Sequence, residues 1–172
     1  MTDRKLDRQS AFSGTKPIPD HHLLNLPSLT TWLIQNVEGF SGKINVTQFK
    51  GGQSNPTYLI ETDEKSYVLR RKPPGNLLPA AHAIDREFRI QQALWREGFP
   101  VARPFAYCAD NMVVGTHFYV MEHIQGRIFW EPHIPNVARH DREAIFDAMN
   151  KTIAQLHLFD PAHLGISDFG RS

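Results

Sequence analysis

Apolar and polar positions alternate in three short runs near the middle of the first half of the chain. These are Ile44-Asn45-Val46-Thr47-Gln48-Phe49, the stretch from Thr57 to Thr62, and Ser66-Tyr67-Val68-Leu69-Arg70. Period-two alternation in segments rich in β-branched and aromatic residues predicts three strands within about 44–71. It also sets Val68 and Arg70 on one face of their strand. Elsewhere the spacing is helical. Leu29, Trp32, Leu33 and Val37 form a stripe that predicts a helix from Ser28, as N-cap, to Glu38, stopped by Gly39 and packed on the sheet from outside. Ile84 to Glu97 predicts a second helix. Phe105–Cys108 and Thr116–His123 read as two more strands, with Asp110-Asn111 as their turn. A long helix is expected over 141–158, with Ile145, Ala148, Met149, Thr152, Ile153 and Leu156 on a broad apolar face. Residues 1–27 are polar and proline-punctuated, and read as a loose lead-in.

Two places depart from plain patterning. Between the first two strands lies Gly51-Gly52-Gln53-Ser54-Asn55-Pro56. Adjacent glycines let backbone amides turn toward one point and a ligand approach closely, so such a loop can cradle phosphate oxygens; taken alone, the same residues read first as a hairpin turn. In the second helix the face that should be buried is Ile84, Glu87, Phe88, Gln91, Leu94 and Trp95. A carboxylate in that stripe calls for a partner, because an unpaired buried charge is costly. Glu87 either bends to solvent at the helix edge or pairs with a basic residue of the sheet, for which Arg70 is the best-placed candidate.

Composition narrows the classes. At 172 residues one domain is expected, with enough chain for a core. Nineteen Lys and Arg against eighteen Asp and Glu leave a net charge of +1, which argues for neither nucleic acid nor a membrane surface as partner. Cys108 is the single cysteine, so an internal disulfide is excluded, and a reducing, cytoplasmic setting is expected. No apolar run approaches membrane-spanning length. Arg4, Lys5 and Arg8 have no apolar segment behind them to make a signal peptide, and Asp3 and Asp7 disfavour a transit peptide. The His21-His22 pair is too isolated for a metal site.

In order along the chain, Phe49 to Tyr58, Tyr67-Val68-Leu69-Arg70-Arg71-Lys72-Pro73-Pro74-Gly75, Asp85-Arg86-Glu87-Phe88, Phe118-Tyr119-Val120-Met121-Glu122 and Leu156-His157 resemble the aminoglycoside phosphotransferase family of kinase-like enzymes. Within it they are most similar to the branch related to kinase-like domains appended to some acyl-CoA dehydrogenases. The resemblance covers about residues 28–172. It implies an α+β fold: a protein-kinase-like N-terminal lobe, with a five-stranded antiparallel sheet and one main helix, then a hinge and the first helix of an incomplete C-terminal lobe. The division it implies is a lead-in over 1–27, the lobe over 28–124, and the hinge and helical start over 125–172.

Roles follow from the resemblance residue by residue. Gly51, Gly52, Gln53, Ser54 and Asn55 would be the phosphate-covering loop. Arg70 falls where kinases place the strand lysine that holds the α- and β-phosphates, and Glu87 where they place its helix partner. Arginine keeps the charge but offers a planar fork. Val68 would belong to the adenine ceiling and Met121 to the gate position. The Glu122 carbonyl and the Ile124 N–H would address the adenine edge. ATP and Mg2+ are the implied cofactors, and a small hydroxylated molecule, of the hydroxyacyl class in this branch, is the implied acceptor.

The departure matters as much. The family's catalytic loop lies beyond the helix that ends near His157, and this sequence holds neither His-Gly-Asp nor His-Arg-Asp. Asp168-Phe169-Gly170 matches the kinase metal-binding triplet in letters, but no catalytic loop precedes it, so it reads as unrelated to metal binding. His157 reads as a structural helix-end residue. The chain therefore resembles the front half of a phosphotransferase, without its metal ligands. Two function classes stand: an ATP-dependent kinase of a small metabolite, and a non-catalytic nucleotide-binding or interaction module. With no later helices to cover it, the 141–158 face is expected to be partly bare and to favour self-association or a second chain.

Overall fold

The computed structural model describes residues 11–51, 55–75 and 83–170. The strands are β1 (Thr15–Lys16), β2 (Asn45–Phe49), β3 (Thr57–Glu61), β4 (Ser66–Arg71), β5 (Pro104–Cys108) and β6 (Phe118–Glu122), the three alternating runs becoming β2 to β4. They form one antiparallel sheet in the order β1-β2-β3-β4-β6-β5. Five strands were expected, and six are present among the described residues. The extra one, β1, lies in the stretch read as a loose lead-in; it is two residues long, too short to show any period, and pairs Thr15 with Phe49 and Lys16 with Gln48.

The register divides the sheet into two faces. Across β2, β3, β4 and β6 one row reads Thr47, Leu59, Val68, Met121, and a neighbouring row on the same face reads Thr57, Arg70, Tyr119. The opposite face carries Tyr58, Ile60, Tyr67, Leu69, Phe118 and Val120, all buried. Against it packs α1 (Leu26–Asn36), whose Leu29 and Leu33 are fully buried and whose Trp32 meets Phe118 edge-on at 4.7 Å. Asn25, not Ser28, caps α1: its side chain accepts the Ser28 N–H at 3.2 Å. Pro27 sits in the first turn, where its missing N–H costs nothing. Gly39 turns the chain away at φ 70°, a conformation that side-chain-bearing residues rarely adopt.

Helix α2 (Ile84–Arg96) covers part of the other face. Phe88 sits between Tyr107 and Tyr119, each ring 5.8 Å away, and Gln91 donates to the Ala102 carbonyl at 3.1 Å. Trp95, expected on the buried face, is 40% exposed, with the Arg103 guanidinium over its ring at 5.3 Å. The link between β5 and β6, read as a turn, holds a short helix, α3 (Asn111–Val114). Asp110 caps it and Gly115 closes it at φ 90°. Beyond β6 the chain reaches α4 (Arg139–His157), which has no buried residue.

Candidate nucleotide site

Glu87 is the point on which three elements converge. From the first turn of α2 its carboxylate receives Arg70 Nε at 2.6 Å and Arg70 Nη2 at 3.4 Å. Asn55 Nδ2 donates to it at 2.9 Å, and the Tyr119 hydroxyl at 3.4 Å. Arg70 reaches on through Nη1 to the Thr57 hydroxyl at 3.4 Å. A carboxylate on a mostly apolar helix face is tolerable only when its lone pairs are filled, and here strand β4, strand β6 and the end of the glycine turn fill them. Of the two readings open for Glu87, the structure shows the ion pair.

The surroundings tune these groups. Burial, the largest influence on Arg70, acts to lower its pKa, yet the hydrogen bond and charge of Glu87, with Tyr119, leave it above the ordinary arginine value. The guanidinium is thus held charged. Burial pushes the Tyr119 phenol well above its usual range, and the Glu87 charge pushes it further, so it stays a neutral donor.

The other residues singled out in the sequence are placed as follows. Asn55 is buried, and its side chain is turned to Glu87. Gly51 lies beside the Phe12 carbonyl, so that an added Cβ would meet it at 3.6 Å. Gly52, Gln53 and Ser54 lie outside the described residues. Val68 is buried two positions before Arg70 on the same face, beside Leu59 and Met121. Met121 takes a hydrogen bond on sulfur from Gln91 at 3.3 Å. The Glu122 N–H bonds the Arg103 carbonyl at 2.8 Å and its carboxylate accepts the Arg103 N–H at 3.2 Å. Ile124 is exposed. Asp168 does not approach this cluster; its carboxylate is held by Arg89.

Four neighbours escaped the sequence reading. Tyr119, Thr57 and Leu59 looked like ordinary strand residues, and only the register brings them to Arg70 and Val68. Phe49 ends β2 with its ring 6.1 Å from that of His123, which directly follows β6. Among the described residues, the Thr47 hydroxyl and His123 Nδ1 are buried without a hydrogen-bond partner, and both belong to this side of the sheet. Nearby chain also lines a half-open cleft of about 510 Å³, walled by Ser13, Gly14, Phe129, Trp130 and Ile134. Trp130 donates to the Ser13 hydroxyl at 3.0 Å, and its ring lies tilted against Phe12 at 5.2 Å.

A five-strand core in this order, one helix on the glycine-turn face and a strand–helix ion pair define a kinase-like N-terminal lobe. The sequence profile of the phosphotransferase enzyme family matches residues 45–172, and the chain belongs to that family. It is 48% identical over 162 residues to mouse acyl-CoA dehydrogenase family member 11 and 45% identical over 153 residues to its human counterpart. Those matches cover 92% and 87% of the chain, but only 21% and 20% of the relatives' own length. A solved protein from Ralstonia eutropha, described as an aminoglycoside phosphotransferase, is 40% identical and superposes with a TM-score of 0.75, over 87% of this chain and 43% of that one.

Proposed function

We propose that this chain forms the nucleotide-binding part of an ATP-dependent phosphotransferase acting on a hydroxyl group of a small metabolite. The observation that carries the reading is the Arg70–Glu87 pair at 2.6 Å, bonded by Asn55 and beside a row of apolar residues. Arg70 holds the α- and β-phosphates, and Glu87 fixes the fork that does so. Gly51 to Asn55 covers the phosphates. Leu59, Val68 and Met121 stack over adenine, while the Glu122 carbonyl and the Ile124 N–H meet its edge. Residues 28–124 act as the lobe and 125–172 as the hinge and the start of a helical partner lobe. The setting is cytoplasmic.

The residues present fit a nucleotide: a charged fork, an apolar ceiling and two polar atoms still to be satisfied, on Thr47 and His123. Among the described residues no three His, Cys, Asp or Glu side chains gather in a group that could hold a metal ion. A second reading, a nucleotide-binding module without catalysis of its own, is favoured by the missing His-Gly-Asp or His-Arg-Asp.

Titration calorimetry with ATP, with and without Mg2+, tests the reading. Binding that Arg70→Ala abolishes supports it. Equal heats in wild type and Arg70→Ala, or none in either, would sink it.

A further inference from the structure

The Asp168-Phe169-Gly170 triplet, set aside as a metal motif, has a different place in the fold. The segment after α4 runs back along α2 from its C-terminal end to its first turn. Phe159 meets Phe99 edge-on at 5.8 Å, and His163 lies 3.7 Å from Glu97. Ile166 is buried. At the far end Asp168 takes both Nη atoms of Arg89 at 2.9 Å, a two-pronged pair. The Phe169 ring lies under two guanidinium groups, Arg86 at 4.6 Å and Arg89 at 4.9 Å, and its carbonyl accepts from Arg86 at 2.9 Å.

Arg86 and Arg89 flank Glu87 in sequence and share the helix face that looks away from the sheet. Only Ile84 and Leu94 of α2 are buried, so the sheet alone holds the helix lightly. A single exposed ion pair contributes little to stability. A bidentate pair, a ring shared by two cations and a backbone bond, all in one turn of helix, form a directional clamp instead.

We propose that Asp168 and Phe169 are positioning residues, which hold the first turn of α2 so that Glu87 stays against Arg70. They touch neither phosphate nor base. For its ligand-binding arm alone this inference rests on the nucleotide reading above.

The test uses the full chain carrying Asp168→Asn and Phe169→Leu, with two readouts. The first is the Arg70 Nε–H resonance in a side-chain 15N spectrum, which reports the bond to Glu87 without any ligand. The second is MgATP affinity, measured in wild type and in a Glu87→Gln background. The expected result is an Arg70 signal shifted toward that of a free guanidinium and an affinity about tenfold weaker. In the Glu87→Gln background the same pair of changes should alter affinity by less than about twofold, because their route is already cut. An unmoved Arg70 signal, or an equal loss of affinity in both backgrounds, overturns the proposal. If wild type binds no MgATP, the nucleotide reading fails while the Arg70 resonance still decides the clamp. Should the double variant not fold, Asp168→Asn alone, on an exposed side chain, gives the same two readouts.

Discussion

Glu87 receives four donors from three separate stretches of chain, so substituting it is expected to disturb the proposed nucleotide site more than the fold around it. Glu87→Gln keeps the shape but removes the charge from the bond to Arg70. With both side chains about a third exposed, the expected loss of stability is about 1 kcal/mol, read from urea denaturation. ATP affinity should fall by a larger factor than stability alone explains. A second prediction concerns His22. Burial lowers its pKa below the ordinary 6.5, reinforced by the charges of His21, Arg71 and Lys16 and opposed by a 3.2 Å hydrogen bond with Gln48. Its neutral form is thus the folded form. The stability it contributes is complete above pH 6.5 and is lost as pH falls through that value toward the lower folded pKa. His22→Gln should flatten the dependence of melting temperature on pH in that window; an unchanged slope would count against the assignment. At this scale the sequence was half legible. A carboxylate in an apolar stripe announces that it needs a partner, whereas Tyr119, one more aromatic in a β-rich run, gives no sign that its hydroxyl answers Glu87.

Elements were easier to read than contacts, because period is local. The alternation over β2, β3 and β4 and the stripe of α1 follow directly from which side faces the core. β1 was missed because two residues carry no period, and α3 because Asp110 serves turns and helix caps alike. Trp95 was misplaced because an indole extends α2's apolar stripe on paper but finds Arg103 at the surface instead. The longest helix, α4, leaves Phe146, Met149, Ile153 and Leu156 each between 39% and 50% exposed. Ile145, expected in this stripe, is half-buried and Phe146 takes its place. The spacing from 146 to 156 alternates three and four, the seam along which helices pair. Full burial of each such side chain is worth about 1.5–3 kcal/mol, so four that are half covered leave roughly 3–6 kcal/mol unrealised. The isolated chain should therefore self-associate at tens of micromolar, and Met149→Lys with Ile153→Glu should return it to a monomer in light scattering. A wild-type chain that stays monomeric and binds no hydrophobic dye would refute this.

Over these 172 residues, the nucleotide binding proposed above and phosphoryl transfer are expected to be separable. Phosphoryl transfer needs a base to orient the acceptor and metal ligands to neutralise the moving charge, and the 172 residues present no His-Gly-Asp or His-Arg-Asp to supply them. Purified chain is expected to hold ATP without consuming it; turnover abolished by Arg70→Ala would refute that. One further feature bears on how the molecule opens. The segment around Phe12 to Lys16 is fastened twice: to the sheet, through the β1 pairing and the Lys50 N–H on the Gly14 carbonyl at 3.0 Å, and to the chain beyond β6, through Trp130. It works as a drawstring. Lys50, just before the glycine turn, and Trp130 are thereby tied to the same short segment. A shortened form starting at residue 17, which from the sequence would look like the removal of an idle tail, would also be a looser machine.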